Sequence, residues 1–76
     1  MKVNGFEVPQ ATIDTVAAWF PVGRSFRASE LSAVLVKLGV PRMDWIADRV
    51  ADRLLQKWRK AGVIVYSGKK WLRVAT

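Results

Sequence analysis

The sequence predicts a mainly α fold with a small β-hairpin: three helices, then a C-terminal pair of strands. Three observations carry this. Apolar residues recur at helical spacing in three separate stretches, each forming one face. Proline and glycine cut the chain between those stretches. The last third holds two runs of β-branched and aromatic residues around Ser67-Gly68-Lys69-Lys70. No internal repeat, low-complexity run or linker interrupts the chain, so residues 1–76 are expected to form one domain.

Residues 1–8 read as an N-terminal arm or a short strand. The first helix is expected over 9–20. Pro9 suits a first helical position, where its missing N–H is no loss. Ile13, Val16, Ala17 and Phe20 share one face, and Pro21 ends the helix. Ser25-Phe26-Arg27 reads as a very short extended segment. The second helix, 28–38, aligns Leu31, Val34, Leu35 and Leu38. Its start lacks the usual Ser or Thr cap, because Arg27 or Ala28 stands there. Gly39 is well placed just past its end, with Pro41 beyond.

The third helix is expected over 44–61, or from Pro41, with Gly62 closing it. Val50, Ala61, Leu54, Ala47, Trp58, Ala51 and Leu55 fall within one arc of about 140°. Trp45, Arg49, Asp52, Gln56, Arg53, Lys60 and Arg59 lie opposite. The hairpin occupies 63–74, as Val63–Tyr66 and Trp71–Val74 around a four-residue turn. Tyr66 then faces Trp71, and Val65 faces Leu72. Val63, Val65, Leu72 and Val74 form its apolar face; a two-residue Ser-Gly loop gives a less consistent one.

Composition narrows the chemistry. A chain of 76 residues buries only roughly 60% of its unfolded surface, so the core is thin. There is no cysteine, which removes a disulfide scaffold and a zinc-thiolate site. There is no histidine, the commonest metal ligand and general base. A 51% hydrophobic content with four tryptophans argues for a folded core rather than disorder. The N-terminus has no apolar run of the signal-peptide kind, and no run approaches the ~20 residues of a membrane span. The cytoplasm is the expected location.

The net charge of +7 is unevenly placed. Through Asp52 acids and bases balance. Arg53, Lys57, Arg59, Lys60, Lys69, Lys70 and Arg73 then follow with no acid among them. A basic block on a folded segment suggests an anionic partner, although it also serves as solubilising charge.

The order helix, short strand, helix, turn, helix, hairpin resembles the winged helix-turn-helix family. The residues that carry the likeness are Phe26-Arg27-Ala28-Ser29-Glu30-Leu31, Leu38-Gly39-Val40, Arg53-Leu54-Leu55 through Ala61-Gly62-Val63-Ile64, the Gly68 turn and Trp71. They are packing positions, and they span nearly all the chain after residue 9. The resemblance implies a three-helix winged helix-turn-helix domain. It makes the third helix the recognition helix of the DNA major groove and the hairpin a wing on the phosphate backbone.

On that third helix, Arg49, Arg53 and Gln56 have base-reading chemistry: arginine pairs bidentately with guanine and glutamine with adenine. Lys60 lies on the same side. Arg42, in the preceding turn, suits a phosphate. Lys69, Lys70 and Arg73 form a cation cluster at the wing, which equally guards an edge strand against aggregation. Trp45 projects outward, either covered by the N-terminal arm or offered to a partner. Trp58 is expected in the core, Trp71 against Tyr66, and Trp19 packed beside the first helix's buried face.

Asp44, Asp48 and Asp52 recur every four residues, but two of them suit the helix N-terminus, as Lys57, Arg59 and Lys60 suit its C-terminus. No catalytic, cofactor or metal site is therefore expected, and Ser67-Gly68 lacks the context of a phosphate loop. No helix combines an exposed apolar face with a lysine border, so no membrane partner is expected. The expected function is sequence-specific or semi-specific duplex DNA binding by a small transcriptional regulator. The alternative is a winged-helix protein-interaction module that uses Trp45 and the outward face of the third helix; Asp48 and Asp52, flanking that face, favour it. Monomer and dimer both remain open.

Overall fold

The three stretches with helical spacing are helices in the computed structural model, which describes residues 1–75. α1 spans Gln10–Ala18, α2 Ala28–Lys37 and α3 Ile46–Lys60. A short 3₁₀ turn, Met43–Trp45, leads into α3. Two small antiparallel sheets complete the molecule. β1 (Lys2–Val3) and β2 (Phe6–Glu7) form a hairpin. β3 (Ser25–Phe26), β4 (Ile64–Ser67) and β5 (Lys70–Arg73) form a sheet in the order β3-β5-β4. The domain is thus small and mixed α/β, with more strand than a single C-terminal hairpin.

The N-terminal residues resolve as strand rather than loose arm. Asn4 and Gly5 both adopt positive φ, 49° and 81°, the two-residue turn that matches hairpin twist. Val3 and Val8 enter the core. The α-ammonium of Met1 donates to Glu7 Oε2 at 2.9 Å and holds the Glu7 carboxyl below its ordinary pKa. Pro9 stands one position before α1, as its N-cap, rather than inside it.

α2 packs against both α1 and α3. Ile13 and Val16 meet Leu31, Leu35 and the apolar arc of α3 in one core. Ala47, Val50, Ala51, Leu54 and Leu55 of that arc are buried as the wheel predicts. Three details differ. Ile46 is also buried, Ala61 is exposed, and Trp58 is only partly buried against the core edge. The arc loses its C-terminal end because the chain leaves the helix there. Trp58→Ala is therefore expected to cost about 2–3 kcal/mol, below the 3–5 of a fully buried aromatic. Trp45→Ala is expected to stay within about 0.5 kcal/mol, as a surface change. Thermal melts of the two variants check this pair.

α2 and α3 end alike. At α3, the N–H of Gly62 donates to Arg59 O and that of Val63 to Trp58 O. This Schellman geometry needs a left-handed residue just past the helix, and Gly62 supplies it at φ 75°. Gly39 does the same after α2, where Val40 tucks into the core. At Gly62 the chain is thereby turned sharply into β4.

The β4–β5 hairpin has the expected strand register, with Val65 opposite Leu72 and Tyr66 opposite Trp71. Its turn is tighter than four residues. Ser67 pairs with Lys70, so only Gly68 and Lys69 form the loop, both at positive φ. The buried face is the other one: Ile64 enters the core and Trp71 packs against it. Val65 and Val74 are 43% and 45% exposed. Both faces carry apolar residues, so alternation alone did not distinguish them.

Candidate nucleic-acid interface

α3 exposes Asp48, Arg49, Asp52, Arg53, Gln56, Arg59 and Lys60. Of these, Arg53, Gln56 and Arg59 are already engaged. The Arg53 guanidinium donates to Lys2 O at 3.1 Å, tying α3 to the N-terminal hairpin. Gln56 Oε1 accepts from Arg59 Nη2 at 2.9 Å. The hairpin lies along this flank of α3, and the open depression between them is lined by Val3, Asn4, Asp48, Arg49, Asp52 and Arg53. Arg49 and Lys60 are the expected contacts on α3 that remain without a protein hydrogen bond among the described residues.

The other flank of α3 faces α2. There, Ser29, Ser32, Arg42, Trp45 and Asp48 surround a second open depression. Trp45 is 71% exposed and Met43 74%. Neither is covered by the N-terminal hairpin, which borders the opposite side of the helix. The reason lies in the backbone. Asp44 and Trp45 both sit in the left-handed region, at φ 55° and 59°. Aspartate tolerates this region, whereas a bulky side chain does so rarely. Two hydrogen bonds hold the turn: Trp45 N–H to Arg42 O at 3.2 Å and Ala47 N–H to Pro41 O at 3.0 Å.

The β4–β5 turn approaches the start of α2. Arg27, Ala28, Tyr66, Lys69 and Trp71 line a third depression. Tyr66 and Trp71 meet edge-on with ring centroids 5.1 Å apart, as the sequence predicts. Lys69 and Lys70 are exposed at the tip. Arg27 joins them without having been expected; its only signal in the sequence is a cation at a helix start. Asn4, beside α3, was not expected either; the Asn-Gly dipeptide, a hairpin-turn signal, is what could have pointed to it.

Arg73 does not belong to this cation cluster. Its guanidinium turns under the sheet: Nη1 donates to Ala17 O at 2.8 Å and to Phe20 O at 3.1 Å. Nε donates to Ala75 O. Arg24 Nη1 donates to Trp19 O at 2.7 Å. α1 has no basic residue in its last turn, and these two arginines supply both the positive charge and the donors its end lacks. Trp19 is half-exposed rather than packed, with Lys37 Nζ 5.3 Å from its ring centroid.

Asp44, Asp48 and Asp52 do not gather into a metal-holding group, and among the described residues no other acidic set does so. No helix among them is long and apolar enough to cross a membrane. Comparison with protein-family models, curated proteins and solved structures returns no match.

Proposed function

We propose that this chain is a winged helix-turn-helix domain that binds duplex DNA, with α3 toward the major groove and β4–β5 as the wing, in the role of a small transcriptional regulator. The single observation that carries the reading is a set of exposed cations with no protein hydrogen bond among the described residues. Lys69 and Lys70 stand at the β4–β5 turn, Arg27 lines one depression with Lys69, and Arg42 rims a second along α2. The helix and strand order, with β3 paired to β5, supports the same reading. Phosphate contacts of this kind hold and orient a domain on the duplex, while Arg49 is the free base-reading candidate on α3.

These four cations, with or without Arg49, set the salt dependence. At about −0.9 per neutralised phosphate, the slope of log affinity against log salt is expected near −3.6 to −4.5. Titration of labelled duplexes at several salt concentrations measures it. Undetectable binding at low salt overturns the DNA reading. The exposed Trp45 beside Asp48 favours the second reading, a protein-interaction module. A folded Trp45→Ala variant that loses a protein partner, while Arg49→Ala leaves DNA binding unchanged, selects it.

A further inference from the structure

We infer that the depression between the β4–β5 turn and the start of α2 holds an unpaired nucleotide of a DNA strand, its base stacked on Tyr66 and its phosphate on Arg27 and Lys69. The inference rests on the DNA-binding reading above and adds an unpaired end or junction to the duplex it names.

The lining of this depression has one sign of charge. Arg27, Ala28, Tyr66, Lys69 and Trp71 surround it, two cations and no acid. The two depressions beside α3 both carry acid, Asp48 in one and Asp48 with Asp52 in the other. The side chains of Arg27 and Lys69 are exposed and form no ion pair among the described residues. An anion is what such a site attracts.

The rings beside these cations narrow the choice of anion. Trp71 packs against the core and lies opposite Tyr66 in the strand register. The two rings meet edge to face, with centroids 5.1 Å apart and planes at 64°. Trp71 thus backs Tyr66, which stays 61% exposed. A ring already held in place loses little side-chain freedom on binding. An apolar ring beside cations matches a base beside its phosphate, and aromatic stacking accepts any base. In an intact duplex the bases offer only their edges, because their faces are covered by neighbouring bases. Tyr66 therefore has a counterpart where a base is unpaired. Lys70, exposed on the same turn, carries positive charge past the depression. That fits a strand with a further phosphate better than a single phosphorylated side chain.

The test compares three labelled duplexes by fluorescence anisotropy at fixed salt. One is blunt, one bears a tail of about five thymidines, and one bears an abasic tail of equal charge. Tails are placed at the 5′ end and at the 3′ end in turn. The thymidine tail is expected to bind at least about fivefold tighter than the abasic tail, the lower bound for one base stacked on an aromatic side chain. Tyr66→Phe is expected to keep that ratio. Tyr66→Val suits a strand but has no ring, and is expected to bring the ratio to about one. Lys69→Asn is expected to weaken both tails alike. Equal affinity of the parent for the two tails overturns the inference while the DNA reading stands. So does a ratio that persists in folded Tyr66→Val. Thymidine monophosphate that binds as tightly as the tailed duplex assigns the site to a free nucleotide and overturns it too. A phosphotyrosine peptide that binds more tightly than any tailed duplex assigns the site to a protein, with the same result. Absence of binding to any duplex, blunt or tailed, at low salt overturns both the inference and the reading beneath it.

Discussion

Phe26→Ala is expected to cost about 3–5 kcal/mol of folding stability, enough to unfold the domain at the lower end of the stability its size allows. Phe26 is 1% exposed and lies 4.5 Å from Phe20, ring centroid to centroid. It sits on β3, whose partner is the hairpin strand β5, while Phe20 follows α1. The pair therefore joins the sheet to the helical layer. Truncating a buried phenylalanine costs about 3–5 kcal/mol. At roughly 0.05–0.15 kcal/mol per residue, 76 residues hold about 4–11 kcal/mol in total. The loss approaches the whole at the lower end of that range. Urea unfolding followed by tryptophan fluorescence checks it. A midpoint close to the parent's means the two rings contribute far less than their burial indicates. The wing is expected to lose order together with the core, because β3 supports it.

The legible parts of this fold are those where one physical signal acts alone. α3 shows its buried face because Ala47, Val50, Ala51, Leu54 and Leu55 have no apolar competitor on the opposite side until Trp45. The ends of α2 and α3 were readable because Gly39 and Gly62 stand where a left-handed residue is needed. The wing register was readable from Tyr66 and Trp71, but its buried face was not. Ile64 and Trp71 compete there with Val63, Val65, Leu72 and Val74, and only packing against α3 and the core decides. The start of α3 was obscured for a related reason. Propensity has no term for two consecutive left-handed residues at Asp44 and Trp45, which are imposed by the anchoring of Ile46 and Ala47 in the core. In the candidate interface, exposure of Trp45, Arg49, Lys69 and Lys70 was foreseeable from periodicity and turn chemistry. The commitments of Arg53 to Lys2 O and of Arg73 to α1 were not, since both join residues more than fifty positions apart. A cation in a basic block looks the same in sequence whether it faces solvent or a helix end.

Arg73 and the lysine pair at the wing tip are accordingly expected to separate in experiment. Arg73→Ala leaves Ala17 O and Phe20 O without their charged donor in a partly buried site. Hydrogen bonds to charged groups contribute about 1.5–3 kcal/mol, and a stranded carbonyl adds its own desolvation cost. A loss of about 2–3 kcal/mol in stability is expected, with the salt slope of DNA binding unchanged in the molecules that remain folded. Arg73→Lys is expected to recover only part, because an ammonium lacks the planar fork that serves several carbonyls at once. Lys69→Asn with Lys70→Gln reverses the pattern. Both residues are exposed, and asparagine accepts the φ of 67° that Lys69 occupies, so stability is expected to change by no more than about 0.5 kcal/mol. Removing two phosphate contacts flattens the salt slope by about 1.8, which amounts to roughly 60-fold weaker binding at 0.1 M salt when extrapolated against 1 M. Thermal melts and salt titrations of the same preparations decide between the two roles. If Arg73→Ala flattens the slope by about one unit and melts like the parent, then its guanidinium leaves α1 to meet phosphate. The set of phosphate-facing cations then includes β5.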